Sequence, residues 1–365
     1  MISNRNRKLL YVSLGQGVHD RRFIACAQVN GWEVLALRCD GRNNDISNQV
    51  LSSIWIGNKE SISGSNQKVF RSEFREIAKQ FRPDLIQIGP LSNAAAVLDE
   101  NSTVPVLAVS WARDLLYDVN QSDWCKEVAE SAIKLSTHIL VDCRTVREAA
   151  LRLGAFHEDI SIVPWGVDLN MFDFYQKKSN SEVPKIVSIR SLEPIYCVST
   201  LIEAVQHLSL SNVNQQLEIV IAGDGSLKTN LENLADDYGI SNSLKFIGSI
   251  PESDLPELLL SCDVYVSTSP IDGSSISMLQ AMAIGLPCLV PDIPSNREWI
   301  EHGINGFLFE PNNSRALAEL LNEVATNSKL LSSLTQKARK TVEERADWSR
   351  GCKLINQIYE QVAIL

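Results

Sequence analysis

No apolar run in these 365 residues approaches the length of a membrane-spanning helix. The basic start, MISNRNRKLLYVSL, carries an apolar run too short for a secretory leader and lacks a convincing cleavage site. The eight cysteines are scattered, with neither a Cys-x-x-Cys pair nor a Cys/His cluster. A zinc site is therefore not expected, and reduced thiols in a cytoplasmic protein are the simpler reading. Positive charge is also in deficit: 34 Lys and Arg stand against 44 Asp and Glu, a net charge of −10, which argues against a nucleic-acid-binding protein. The deficit is uneven. Residues 1–172 carry 19 basic and 20 acidic side chains, whereas residues 173–365 carry 15 and 24. A near-neutral first half with Arg5, Arg7, Lys8, Arg21 and Arg22 tolerates an anionic membrane surface, although ordinary solvated charge is the simpler account.

What is present is an α/β pattern. The composition, 44% hydrophobic and 21% charged, is that of a globular chain long enough for two cores. In the first half, strands are expected at Leu9–Leu14, Glu33–Cys39, Leu85–Ile88, Val104–Ser110 and His138–Asp142. Helices are expected at Asp20–Val29, Glu73–Gln80, Ser122–Leu135 and Arg144–Leu153. The second half repeats the alternation, with strands at Lys185–Ile189, Leu217–Ala222, Leu244–Phe246 and Cys262–Ser269. Its helices are expected at Ile276–Ile284, Ser314–Ala325, Leu330–Glu344 and Trp348–Val362. The expectation is two doubly wound, Rossmann-like domains facing across a cleft, residues 1–172 and 184–347, joined by the polar stretch Asp173–Val183. Asn43–Ser65 is polar and irregular.

Three loops carry chemical signals. After the first strand, Gly15-Gln16-Gly17 lacks the third glycine of a dinucleotide fingerprint, because Asp20 occupies that place. Gly15 and Gly17 suit either a close backbone approach to phosphate or a tight strand-to-helix turn. Asp40, at the end of the second strand, stands where a ribose-binding acid lies in dinucleotide folds. The strand ending at Ser110 leads to Trp111-Ala112-Arg113-Asp114. Asp114 either faces a ligand at the carboxyl end of a parallel strand or caps the next helix. His19, in the first loop, either faces the same region or is simply exposed. The strongest signal is Pro270–Pro287, PIDGSSISMLQAMAIGLP: a strand, the turn Asp272-Gly273-Ser274-Ser275, then a helix opening at Ile276-Ser277. The first turn of a helix presents unpaired amides and the positive end of the dipole, and Ser274, Ser275 and Ser277 add hydroxyls, so the loop is suited to a phosphate.

This last stretch resembles the donor-binding signature of retaining GT-B glycosyltransferases of family 4. In that family an acidic residue, seven residues and a second Glu precede Ala-Met-Ala-x-Gly-x-Pro. Here Asp272 is followed after seven residues by Gln280 and then by Ala281-Met282-Ala283-Ile284-Gly285-Leu286-Pro287, and Glu298–Phe309 continues the likeness. The resemblance implies a GT-B fold whose last helix, within 348–365, returns to the first domain. It also implies that Arg190 holds the donor diphosphate, with Tyr196 near the place of the family's Lys, and that Gly15, Gly17 and Gly223 border the donor. In the same reading Gly273, Ser274, Ser275, Ile276 and Ser277 cradle the phosphates. The loop at Ile250 takes the base, Asp272 the sugar and Gln280 the ribose, while Trp111 stands at the place of the family's His and Ala112 at that of a Gly. Arg190, Asp272 and Asp114 are then the catalytic candidates. The implied activity is retaining transfer of a sugar from a nucleoside-diphosphate sugar to a saccharide or lipid-linked acceptor, without a metal ion, in surface polysaccharide or glycoconjugate synthesis. The implied place is the cytoplasm, with the first domain near the inner face of the membrane. The alternative is a degenerate GT-B protein that binds nucleotide or a partner transferase without turnover.

Overall fold

Short runs rich in Val, Ile and Leu that are buried on both faces form parallel strands covered by helices, and both halves of the chain do this. The structure, a computed structural model, describes residues 7–15, 17–39, 53–55, 62, 66–100, 102–174, 183–210 and 217–365. Gln16, Asp40, most of Asn43–Ser65 and residues 175–182 of the expected linker lie outside the described residues. The chain divides into two units, Met1–Trp165 with Ser349–Leu365, and Gly166–Trp348.

Among the described residues the first unit holds a seven-stranded sheet whose strands all pair in parallel. Its strands are β1 (Lys8–Ser13), β2 (Glu33–Arg38), β3 (Ser53–Trp55), β4 (Leu85–Ile88), β5 (Val106–Val109), β6 (His138–Val141) and β7 (Ile160–Ile162), in the order β3-β2-β1-β4-β5-β6-β7. The second unit holds β8 (Lys185–Ile189), β9 (Glu218–Ala222), β10 (Leu244–Gly248), β11 (Val264–Val266), β12 (Cys288–Pro291) and β13 (Gly306–Phe309), in the order β10-β9-β8-β11-β12-β13. In each sheet the strand order reverses once, between β1 and β4 and between β8 and β11. Doubly wound sheets bind ligands at the carboxyl ends of the strands flanking such a reversal.

Most elements follow the hydrophobic pattern. The helix Gln67–Phe81 begins six residues before the expected Glu73, because Phe70 and Phe74, one turn apart, are both buried against the first sheet's core. β11 is only three residues long, Val264–Val266, rather than Cys262–Ser269, and just beyond it the Ser267 amide still donates to Leu289 on β12 at 3.1 Å. The helix Trp348–Val362 lies with the first unit. The Tyr359 hydroxyl donates to Gln87 on β4, and the Trp32 indole donates to Asn356 at 3.1 Å. Cys26 and Cys352, with Cα atoms 5.7 Å apart, form a disulfide between this helix and Val18–Val29. The all-reduced reading of the cysteines is thereby corrected: the two thiols are 326 residues apart in sequence, and only the return of the last helix brings them together. Among the described residues no helix is long and apolar enough to cross a membrane.

Candidate donor site

The site of the second unit is assembled at the ends of β8, β9, β10 and β11. Arg190 follows β8 directly, and its amide donates to Ala222 at the end of β9 (3.1 Å). Gly223 comes next, and its own amide donates to Gly248 at the end of β10 (2.8 Å). A Cβ built on Gly223 would fall 2.9 Å from the carbonyl carbon of Arg190. Gly223 therefore serves by letting two strand ends pass closely, and so sets where Arg190 stands. Gly223→Ala is expected to cost about 1–3 kcal/mol through this overpacking and to weaken nucleotide binding together with it. Thermal melting and a nucleotide titration on the same preparation check both effects.

The Arg190 side chain turns toward β11. Its Nε donates to Ser267 Oγ at 3.2 Å, Nη2 is paired with Asp272, and the guanidinium lies 5.1 Å from the centre of the Tyr196 ring. The two charged side chains are only 13% and 19% exposed. Tyr196 thus supports the guanidinium with its ring face, a cation–π contact, while its carbonyl accepts from Thr268 (3.0 Å). Asp272 also accepts from the amide of Gly273 at 3.0 Å.

Beyond this turn the helix Ile276–Ile284 starts with Ser275 at its N-cap. No side chain caps it, so the amides of Ile276, Ser277 and Met278 have no acceptor within the helix. Ser277 is hydrogen-bonded to the phenol of Tyr265 (2.8 Å) and lies 3.4 Å from Ser275 Oγ. The Trp299 indole donates to Ser274 Oγ at 3.2 Å. The helix ends on Gly285 at φ +93°, where a side chain would strike Phe174 and Thr335. Gln280 is 5% exposed, and among the described residues no hydrogen bond to its amide is found. Ile250 packs against the apolar cluster under this site and borders a cavity of about 420 Å³ with Ile247, Pro251 and the helix Leu255–Leu260. The turn thus offers one guanidinium, a helix N-terminus and several hydroxyls to an anion, with one carboxylate close by. Among the described residues no group of three His, Cys, Asp or Glu is placed to hold a metal ion.

Tyr265, Ser267 and Trp299 reach this site without having been expected there. For Tyr265 there is a signal: a phenol in the middle of a buried strand requires a hydrogen-bond partner.

The expected site residues of the first unit are arranged differently. The amide of Gly17 is already taken, donating to Asp20 Oδ2 at 2.6 Å, while Asp20 Oδ1 accepts from Tyr11 (2.8 Å). Asp20, where a third glycine would stand, is thus the residue that closes this loop, and burial raises its pKa. Gly15 forms the bend after β1. Asp114 is 1% exposed and accepts from Leu91 N–H and Ser110 Oγ, each at 2.7 Å, and the same Ser110 Oγ accepts from the amide of Ala112 (3.1 Å). Burial pushes the Asp114 carboxyl up to about 6, and nearby Asp118 adds to the effect. Asp114 therefore fastens the loop after β4 to the loop after β5. Ala112 has φ +66°, the left-handed conformation in which glycine is at ease.

Comparison with known proteins bears on both units. Residues 171–341 match the family model of glycosyl transferases group 1. A UDP-Gal:alpha-D-GlcNAc-diphosphoundecaprenol alpha-1,3-galactosyltransferase of Escherichia coli is 30% identical over 219 residues, 56% of this chain and 55% of that protein. The chain thus spans about half the length of such curated relatives. Among solved structures, Anabaena HepE in complex with UDP and glucose superposes with a TM-score of 0.81 at 19% identity, covering 97% of this chain and 100% of that one. Sucrose-phosphate synthase of Thermosynechococcus elongatus gives a TM-score of 0.84 at 16% identity, covering 98% and 99%. The fold is GT-B. The match over residues 171–341 lies within the second unit, which carries the site described above.

Proposed function

We propose that the protein is a retaining glycosyltransferase of family 4 that moves a sugar from a nucleoside-diphosphate sugar to a saccharide or lipid-linked acceptor in surface polysaccharide or glycoconjugate synthesis. The observation that carries this reading is the placement of Arg190 beside Asp272 and the open amides of Ile276–Ile284, at the strand-order reversal of the second sheet. In this reading the diphosphate rests on Arg190, the amides of Ile276 and Ser277, and the hydroxyls of Ser275 and Ser277. Asp272 takes hydroxyls of the sugar and Gln280 those of the ribose. The C1–O bond to the diphosphate breaks, the acceptor oxygen bonds to C1, and the acceptor proton passes to the leaving phosphate. Fixed donors around that phosphate stabilise the charge that develops there, which is where such a site lowers the barrier most. No protein nucleophile and no metal ion are required. UDP is the favoured nucleotide, since the E. coli relative is named for UDP-Gal and HepE was solved with UDP. The same reading places the protein in the cytoplasm at the inner face of the membrane, where lipid-linked acceptors are found.

The test is a calorimetric titration of UDP, GDP, ADP and dTDP into the purified protein with EDTA present. UDP is expected to bind at least tenfold more tightly than the rest. Absence of binding by all four, with the protein folded, refutes the reading. Tight UDP binding with no turnover of any UDP-hexose, in the presence of an acceptor panel, favours a nucleotide-binding protein without transfer activity; Gln280 in the place of a Glu is the feature that points that way.

A further inference from the structure

We propose that Trp111 is a specificity-determining wall for a neutral pyranose ring, forming with His19 a sugar-binding subsite at the carboxyl ends of β1 and β5. The proposal rests on the transferase reading only in calling that sugar the acceptor.

Four observations converge on Trp111. The first is its setting. Trp111 follows β5 by two residues, and His19 lies in the first turn of the helix after β1. The loop after β1 borders the strand-order reversal of the first sheet, where doubly wound folds hold ligands, and β5 lies one strand beyond it, next to β4. The second is the ring geometry. The His19 imidazole is stacked on the indole, with centroids 5.1 Å apart and planes within 15°. Phe23 and Trp165 meet the indole edge-on at 5.4 and 5.6 Å and meet each other at 5.0 Å. Phe23 and Trp165 are buried, but Trp111 remains partly exposed. An indole with His19 stacked on one face and two buried rings against it, yet still partly exposed, is a fixed wall whose exposed surface is what a ligand meets.

The third observation is the backbone. Ala112 holds a left-handed conformation that costs a non-glycine residue about 1–2 kcal/mol. Ser110 and Asp114 maintain it through the bonds from Ala112 N–H to Ser110 Oγ and from Ser110 Oγ to Asp114. Strain of this kind persists where the surroundings over-determine it, and it gathers at ligand sites. Its effect here is to aim the residue immediately before it, Trp111. The fourth observation is polar. Nδ1 of His19 is enclosed and, among the described residues, has no hydrogen-bond partner. Burial, with Arg22 nearby, lowers the pKa of the ring to about 4, so at neutral pH it is an uncharged imidazole.

These features select a ligand chemistry. A pyranose presents a face of C–H groups that packs on an aromatic ring and a rim of hydroxyls that suits a neutral imidazole. An anion gains little here, because Gly17 N–H is committed to Asp20, Arg113 is paired with Asp118 at 3.1 Å and the imidazole is uncharged, which leaves Arg22 as the nearby positive charge. The subsite therefore discriminates by ring shape: a sugar with an unbroken C–H face stacks, and one with an axial hydroxyl on that face does not.

The probes are methyl β-D-glucopyranoside, methyl β-D-galactopyranoside and methyl N-acetyl-β-D-glucosaminide, titrated with and without saturating UDP. The readout is the indole N–H spectrum of protein labelled at tryptophan, with the Trp111 signal assigned from Trp111→Phe. At least one glycoside is expected to shift that signal in a saturable manner. Trp111→Ala is expected to raise its dissociation constant at least tenfold, Trp111→Phe no more than about threefold, and neither is expected to change UDP affinity. The inference is overturned if no glycoside moves the Trp111 signal while UDP binds. It is also overturned if Trp111→Ala, folded by its melting curve, binds the glycoside as the wild type does. Failure of the donor reading shows separately, as loss of UDP binding with the glycoside response intact.

Discussion

Arg190→Ala is expected to reduce kcat/KM for sugar transfer by about 10²–10³-fold, the usual cost of deleting one preorganised charge-stabilising donor from a transfer site. The effect has two sources. The first is loss of the cation that meets the diphosphate. The second is that Asp272, 19% exposed and paired with Arg190, is left without its partner beside the phosphate cradle, where its charge repels the donor. The second source can be isolated. Arg190→Ala with Asp272→Asn is expected to recover UDP affinity relative to Arg190→Ala while leaving turnover low, because the asparagine removes repulsion without replacing the cation. Calorimetry with UDP and initial rates with a UDP-hexose separate the two. Unchanged donor binding and turnover in Arg190→Ala would show that the donor lies elsewhere. Stability is expected to fall as well, since a largely buried carboxylate loses its partner and Ser267 its donor, so the melting curve of Arg190→Ala is read beside its kinetics.

Much of this site is legible in the sequence because its parts are local. The helix Ile276–Ile284 begins and ends where its serines and Gly285 indicate, and the strand Lys185–Ile189 places Arg190 at the carboxyl end of a buried run. Periodicity and turn chemistry decide such features within a dozen residues. What the sequence leaves hidden is pairing across the fold. Arg190 and Asp272 are 82 residues apart, and only the adjacency of β8 and β11 makes them partners. Tyr265 with Ser277 depends on the following helix packing back on β11, and Trp299 with Ser274 on the segment after β12 reaching the turn. β12 and β13, four residues each, are short apolar runs whose partners are other strands, so no local period marks them. The Cys26–Cys352 pair is the extreme case. In the first unit the glycine loop and the Asp114 loop are recognisable as strand-end loops, but their carboxylates hold backbone and hydroxyl groups of neighbouring loops, a function that spacing alone does not express.

That fastening role makes Asp114 the residue whose replacements separate chemistry from structure most sharply. Asp114→Ala leaves the Leu91 amide and the Ser110 hydroxyl without their acceptor in a buried place, and about 3 kcal/mol of destabilisation is expected from two such losses. Asp114→Asn behaves differently. Its carbonyl oxygen can still accept from Leu91, and its amide can donate to Ser110 Oγ, so the lock persists without charge. The pH dependence follows from the sign of the shift. The folded-state carboxyl ionises at about 6, above its ordinary value of 3.8, because burial disfavours the charged form. The folded state therefore favours the protonated group. Its stabilising contribution is complete below 3.8 and is lost as pH rises through 6. About two pK units correspond to about 3 kcal/mol. Denaturant unfolding of wild type and Asp114→Asn at pH 5 and pH 8 is expected to show the difference moving in favour of the asparagine at the higher pH. Titrations of other groups, His19 among them, are common to both proteins and cancel in the comparison. A pH-independent difference would mean that Asp114 is ionised throughout. In that case a ligand-facing role for its carboxylate would regain ground over the fastening of the Trp111 loop.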